Sequence, residues 1–204
     1  MSVERLIDTL TAWAQVNICD HIQLKQPPMY ENEPVDDGYE YTLVNPVAFP
    51  MYVPTPERLP PNIHSPYPSL CVGFAQGEDE AAKNNGVVDI QLTFAAWNPG
   101  THGGDILTPD GNGGMNADNA KGYFQVNAEG WRDVWRFVDI ALRAIESQTV
   151  IGDCYTIDRV TPIKYGPLAQ QEAIPDMYPY WFAWVIFRVH YPLLRNIPSI
   201  QNML

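Results

Sequence analysis

The most regular hydrophobic pattern in the chain lies between residues 127 and 148. Large apolar side chains recur there every three or four residues, a spacing that places them along one face of a helix. This apolar stripe comprises Trp131, Val134, Trp135, Val138, Ala141, Leu142 and Ile145. Arg132, Arg136 and Arg143 fall on the opposite, polar face. The pattern predicts an amphipathic helix that docks through its stripe, and a similar pattern predicts a first helix over residues 2–16.

Four segments carry the patterns of β-strands. Residues 87–97 alternate apolar and polar side chains, which is typical of a sheet with one face in solvent. Residues 69–75 are expected to pair with them across a long acidic connection, while 154–165 and 179–191 read as two further strands. The order helix, two strands, helix, two strands predicts an α+β fold in which two helices pack on one face of an antiparallel sheet of about four strands.

Two segments interrupt this pattern. A proline- and tyrosine-rich arm covers about residues 27–68, and its prolines forbid a long helix or a central strand. Residues 98–122 are rich in glycine and asparagine and have the composition of a loop. We therefore predict a single domain over residues 1–204 that carries both segments as long irregular insertions. The arm is expected to pack on its own sheet or on a neighbouring subunit.

The charge balance restricts the possible partners. The chain has 24 acidic and 12 basic residues and a formal net charge of −12, which disfavours specific nucleic-acid binding because that depends on clustered Lys and Arg. No apolar run approaches the roughly 20 residues of a membrane-spanning helix, so no membrane association is expected. The amino terminus lacks the pattern of a signal peptide. The three cysteines are too far apart for a zinc site or a disulfide framework and are expected to be reduced.

His102 and Asp105 are the strongest candidates for chemistry. Together with Asp110 and Asp118 of the same segment they offer metal ligands, which would suit a small metal-dependent hydrolase. The segment lacks the ordered alternation and the closing glutamate of a calcium-binding EF-hand loop, so turn formation and assembly contacts are the favoured interpretation. The sequence contains no recognised catalytic or nucleotide-binding motif. We therefore expect no catalytic residue, no bound metal and no cofactor.

The aromatic residues leave a binding role open. Trp131 and Trp135 offer a stacking platform for a base or a sugar, although their helical spacing favours the core. The aromatic strand at residues 179–191 is also compatible with a small-ligand binding module, which would be a monomer or dimer with a closed pocket. Nothing in the sequence identifies a ligand.

Four segments occur in an order that is found in one family of phage proteins. They are PSLCVGFAQGEDE at 68–80, VVDIQLTFAAW at 87–97, GWRDVWRFVDIALRAI at 130–145 and YPYWFAWVIFRVHYPL at 178–193. On these segments the chain resembles the tail terminator proteins, also called tail completion or minor tail proteins, of tailed bacteriophages and phage-tail-like particles. The shared features include a GxRDV helix and a final strand that opens with PYW. Ala183 stands where a glycine is usual, and both insertions depart from the family pattern.

The resemblance implies a structural protein of the virion. Such a protein forms a ring, commonly a hexamer of itself, on the last ring of the tail tube protein, where it ends tail polymerisation. The ring also provides the docking surface for a neck or head-connector protein, and in a contractile particle the sheath protein is a further partner. DNA would only pass through the lumen, and acidic walls would keep the DNA from adhering. The expected location is the head-proximal end of the tail, after assembly in the host cytoplasm.

An alternative within the same class is a head–tail joining protein of the neck. Only the position of the protein in a particle separates this alternative from a terminator. For the interfaces of either assembly we predict Arg132, Arg136 and Arg143 on the helix and His102 and Asp105 in the glycine-rich segment, because these residues are expected to be exposed.

Overall fold

Two helices form where the sequence predicts them. The computed structural model describes residues 3–27, 42–80, 84–102, 106–109, 115–118, 124–126, 128–169 and 174–193, with the backbone alone over 101–126. Helix α1 spans Val3–Asn17, and a 3-10 turn at Cys19–His21 follows it. Helix α2 spans Trp131–Ser147 and is preceded by a 3-10 turn at Ala128–Gly130. Asn127, where the predicted helical segment begins, lies outside the described residues.

The strands form one large sheet and three small two-stranded sheets. The strands are β1 Leu24–Lys25, β2 Leu43–Val44, β3 Val47–Pro50, β4 Ser69–Glu80, β5 Asn85–Trp97, β6 Gly100–His102, β7 Ile106–Pro109, β8 Met115–Asp118, β9 Phe124–Val126, β10 Val150–Ile151, β11 Tyr155–Ile157, β12 Lys164–Pro167 and β13 Tyr180–Pro192. The large sheet has the order β10-β11-β13-β5-β4-β3, and β12 also pairs with β13. All of its pairs are antiparallel except β3 with β4. The α+β class is therefore confirmed.

One core joins both helices to the sheet. Alternate residues of β5 and β13 are buried, and Phe94 of β5 packs edge-on against Phe137 of α2 with ring centroids 5.0 Å apart. Leu6, Leu10 and Ala14 of α1 belong to the same cluster. Because a strand directs alternate side chains to one face, both helices cover the same face of the sheet.

The sheet has seven strands, more than the predicted four or so. Three of the four predicted strands are present as β4, β5 and β13. The predicted strand at 154–165 divides into β11 and β12, because a turn at Asp158 interrupts it. The connection between β4 and β5 is also shorter than predicted, since Glu80 pairs directly with Asn85. Strands of two to four residues escape periodicity analysis because they are too short to display a repeat.

The turn that separates β11 from β12 should make stability sensitive to acid. The Asp158 carboxylate accepts hydrogen bonds from the Thr161 hydroxyl and the Val160 N–H, both at 2.7 Å, and these lower its pKa from 3.8 to about 2. A lowered folded-state pKa stabilises the fold above 3.8, and this contribution is lost as pH falls through about 2. We expect Asp158→Asn to be less stable than wild type at pH 5. The difference in the free energy of unfolding should shrink as the pH falls from 5 to 2, as urea unfolding at each pH would measure. A deficit that stays constant over that range would contradict this assignment.

The predicted loop at 98–122 contains strands. β6 pairs with β9, and β7 pairs with β8 in the register Ile106↔Asp118 to Pro109↔Met115. The loop prediction is therefore wrong for these residues. Glycine and asparagine hide the pattern because they add no hydrophobic alternation, yet the Asp-Gly and Asn-Gly pairs at 110–113 are a strong short-range signal for a hairpin.

The described part of the proline- and tyrosine-rich arm packs on the chain's own sheet. β3 pairs in parallel with β4, and Phe49 is buried. The ring of Tyr67 lies 5.0 Å from that of Tyr180 and 6.3 Å from that of Phe182, measured between centroids. Of the two positions expected for the arm, the structure supports packing on its own sheet for residues 42–68. Residues 28–41 lie outside the described part of the chain.

The buried face of α2 is rotated relative to the predicted stripe. Phe137, which the stripe omitted, is fully buried, whereas Trp131 is 41% exposed. Trp135 and Leu142 are only partly buried at the edge of the core. The prediction that Trp131 belongs to the core is therefore wrong. The side chain is available for contacts outside the core.

Candidate interaction surfaces

The start of α2 and the start of β13 meet at one junction. Gly130 precedes α2 and is buried against β13, where a side chain would overlap Nε1 of Trp181 and would lie 2.7 Å from the carbonyl oxygen of Asn98. The Trp181 indole N–H donates to that same carbonyl at 3.1 Å. The glycine of the GxRDV helix is thus required by the tryptophan of the PYW strand.

A polar network extends the junction. The Asn98 side chain donates to the Asp133 carboxylate at 2.6 Å and accepts from the Lys25 ammonium at 2.8 Å and from the Gly100 N–H at 3.0 Å. Burial lowers the pKa of Lys25, while the Asp133 carboxylate opposes that shift. Lys25 also donates to the carbonyl of Gly100. The network fixes the end of β5 against α2 and β1.

Asn98→Ala is expected to destabilise the protein by about 1–3 kcal/mol. The substitution leaves the partly buried Lys25 and Asp133 without their shared partner, and unsatisfied polar groups carry that cost. Chemical denaturation measures the effect directly. Gln76→Ala is the matched control, because Gln76 makes its hydrogen bond to Asp89 at an exposed site. It should stay within about 0.5 kcal/mol of wild type. Equal effects of the two variants would argue against the network as a structural element.

An apolar cavity of about 310 Å³ opens beside the junction. Its walls come from the start of α2, the start of β13 and residues 174–177, and they include Trp131, Trp135, Ile174, Met177, Trp181 and Phe182. Ile174 is 68% exposed and Met177 42%. Tyr165 contacts the ring of Trp135 and is itself exposed. We name this region the aromatic surface.

A wide polar groove of about 1010 Å³ lies along the other flank of α2. Its walls include Asp20, His21, Asn45, Arg136, Ile140 and Arg143. Among the described residues Arg136 has no hydrogen bond or ion pair, and Nε of Arg143 donates only to the helical carbonyl of Asp139 at 3.2 Å. Asp20 contributes a carboxylate to the walls, and it accepts from Gln15 at 2.8 Å. We name this region the arginine groove.

A third surface is the acidic ribbon, formed by residues 74–80 of β4 with the start of β5. Each residue from Phe74 to Glu80 is exposed, and the last three are acidic. Pairing with β3 ends at Val72, so β4 continues beyond it as an edge among the described residues. Tyr191 braces the ribbon, because its ring covers Gly86 and its hydroxyl donates to Asp79 at 2.9 Å.

The structure brings only some of the predicted interface residues together. Arg136 and Arg143 both line the arginine groove. They are exposed and lie seven residues apart, which places them on the same face of the helix. Arg132 lies at the other end of α2, where it pairs with Glu129 and its guanidinium stacks 4.6 Å from the Trp131 ring centroid. His102 belongs to β6, with only its backbone described, and Asp105 lies outside the described residues.

Other sequence predictions are only partly covered. The described side chains contain no group of three or more His, Cys, Asp and Glu that would hold a metal ion, but those of His102, Asp105, Asp110 and Asp118 are not among them. Metal analysis of the purified protein therefore remains the test of the hydrolase alternative. No helix in the described ranges is long and apolar enough to cross a membrane. None of the three cysteines forms a disulfide bond in the described part of the chain.

Comparison with known proteins leaves the family open. The sequence matches no protein-family model, and a search of curated proteins found no significant match.

Proposed function

We propose that this protein is a structural component of a phage tail, forming a hexameric ring that caps the tail tube. The ring ends tail polymerisation and offers a docking surface to the head or neck. The observation that carries the proposal is the aromatic surface, where Trp131, Ile174 and Met177 are exposed around one cavity. Contiguous apolar surface of this kind on a folded chain marks an interaction site. The junction of Gly130 with Trp181 adds support, because it joins two of the four segments on which the family resemblance rests.

The charge distribution also suits assembly. The acidic ribbon and the arginine groove lie on the same chain, so identical copies carry complementary surfaces. Contacts between two different surfaces of identical copies generate closed rings when the rotation between neighbours is right. The chain's formal net charge of −12 would keep DNA from adhering if acidic residues face the lumen. Removing acidic residues from the lumen wall without a change in DNA ejection would count against that last role.

Native mass spectrometry over a concentration series, with negative-stain imaging of the same samples, tests ring formation. We expect rings of six copies, either free or on added tail tubes. Ile174→Ser should reduce ring formation or tube binding while leaving the fold intact, because Ile174 is largely exposed. Val160→Ser is the matched control, since Val160 is 91% exposed and lies outside the aromatic surface. Equal behaviour of both variants and wild type would remove the aromatic surface from the account.

A second function, binding of a small apolar ligand, is favoured by the cavity alone. Its volume of about 310 Å³ lies at the small end of the range of ligand pockets. This alternative requires a protein that stays monomeric or dimeric and whose melting temperature rises when an apolar compound is added.

A head–tail joining role would instead give a ring located at the neck. Labelling the protein in intact particles distinguishes that position from the end of the tube.

A further inference from the structure

We infer that neighbouring copies of this chain bind head to tail, with the acidic ribbon of one copy seated in the arginine groove of the next. The inference rests on the proposed ring function, because it names the surfaces that join the subunits. Two observations support it: the guanidinium groups of Arg136 and Arg143, which have no carboxylate partner among the described residues, and the braced, exposed acidic strand.

Two arginines of the groove have no carboxylate partner in the part of the chain that the structure describes. Arg136 and Arg143 lie two helical turns apart, a separation of about 10 Å along the axis. Their guanidinium groups lack a carboxylate partner among the described residues, although the chain is strongly acidic. Guanidinium groups form paired hydrogen bonds with carboxylates, which makes them suited to acidic protein surfaces. An acidic segment is therefore the occupant that the groove's chemistry favours.

The ribbon presents carboxylates at a comparable spacing. Glu78 and Glu80 fall on one side of β4, because successive side chains of a strand alternate. Residues two apart in a strand are about 7 Å apart, a distance that long arginine side chains readily span. Asp79 points to the other side and is held by Tyr191. This brace keeps the ribbon in a fixed conformation, which lowers the entropy cost of docking.

A second copy fits better than other acidic partners. Each chain supplies one groove and one ribbon, so every contact in a closed ring is satisfied by the same two surfaces. Nucleic acid would reach the groove only past the negative field of the remaining chain, whose formal net charge is −12. A ribbon from an identical copy meets the same field, but its carboxylates enter the groove on a preformed strand with defined spacing.

Paired charge reversals test the contact. The groove variant carries Arg136→Glu and Arg143→Glu, and the ribbon variant carries Glu78→Arg and Glu80→Arg. Each alone should raise the concentration needed for ring assembly about tenfold or more, since attraction becomes repulsion at two sites. An equimolar mixture should assemble again, because each reversed groove then meets a reversed ribbon. With one variant labelled with heavy nitrogen, native mass spectrometry should show rings that contain equal numbers of both chains.

Arg58→Glu is the control for both double variants. It changes the charge of an exposed turn outside the groove and should leave assembly unchanged. If wild type forms rings and both double variants form them equally well, this inference is overturned and the ring function stands. Loss of assembly in both variants without recovery on mixing would also overturn it, because the two surfaces would not be partners. A wild-type chain that forms no ring, alone or on tail tubes, would overturn both proposals.

Discussion

Phe137→Ala is expected to lower the free energy of unfolding by about 3–5 kcal/mol. Phe137 is fully buried, and its ring packs edge-on against Phe94 at a centroid distance of 5.0 Å. Removing the ring leaves a cavity between α2 and the centre of the sheet, and a well-packed core closes such a cavity only in part. Loss of the aromatic pair adds to the cost. Urea unfolding followed by circular dichroism measures the change.

Trp131→Ala is the matched control for that experiment. Trp131 is also a large aromatic residue of α2, but it is 41% exposed. Its truncation should cost much less stability than the Phe137 variant and should instead affect assembly, because Trp131 lines the aromatic surface. A loss of stability at Trp131 equal to that at Phe137 would contradict the described orientation of α2.

Gly130→Ala should destabilise the protein by about 3 kcal/mol, near the upper end for overpacking. The new methyl group would overlap Nε1 of Trp181 and would lie 2.7 Å from the Asn98 carbonyl oxygen. The carbonyl belongs to the backbone at the end of β5, so the junction must move as a whole. The strain should appear as a lower midpoint of urea unfolding.

Gly73→Ala provides the control at a strand glycine. A side chain there would meet its nearest neighbour, the Gln91 carbonyl oxygen, at 4.0 Å, which is ordinary van der Waals contact. We expect a change within about 0.5 kcal/mol. A Gly130→Ala protein that is as stable as the Gly73→Ala protein would show that the junction does not hold α2 as described.

The long elements could be predicted because their periodicity extends over several turns or many strand residues. α1, α2, β5 and β13 follow their hydrophobic patterns closely. Which face of α2 is buried is harder to predict from the sequence. When Phe137 is included, the apolar arc widens and its centre moves towards Val134 and Ala141, which leaves Trp131 at the edge. Spacing alone contained that signal, but packing against Phe94 decides which part of the arc is buried.

The acidic end of β4 could not be predicted by alternation. Gln76 to Glu80, beyond the predicted end of this strand, are exposed along their whole length, so no apolar period marks them as a strand. Pairing with β5 alone extends the strand there, and that pairing depends on distant residues such as Tyr191. The same limit applies to the short strands β6 to β9, whose composition predicts turns.

The candidate surfaces were predictable in one half only. Arg136 and Arg143 share a helix face by their spacing, so their common exposure follows from the sequence. The opposite wall of the groove, with His21 and Asn45, is more than ninety residues away in the chain and is placed by the tertiary fold. Arg132 shares the same helix face, but local pairing with Glu129 occupies its charge. The spacing of Glu129 and Arg132, three residues apart, already allows such a pair.

We propose that the protein ends tail tubes as a ring of its own copies. The most direct measurement adds the purified protein to polymerising tube protein and records tube ends and lengths by negative-stain microscopy. We expect a ring at one end of each tube and an arrest of elongation that depends on protein concentration. Tubes that grow to the same length with bare ends, in the presence of an excess of folded protein, would contradict the account.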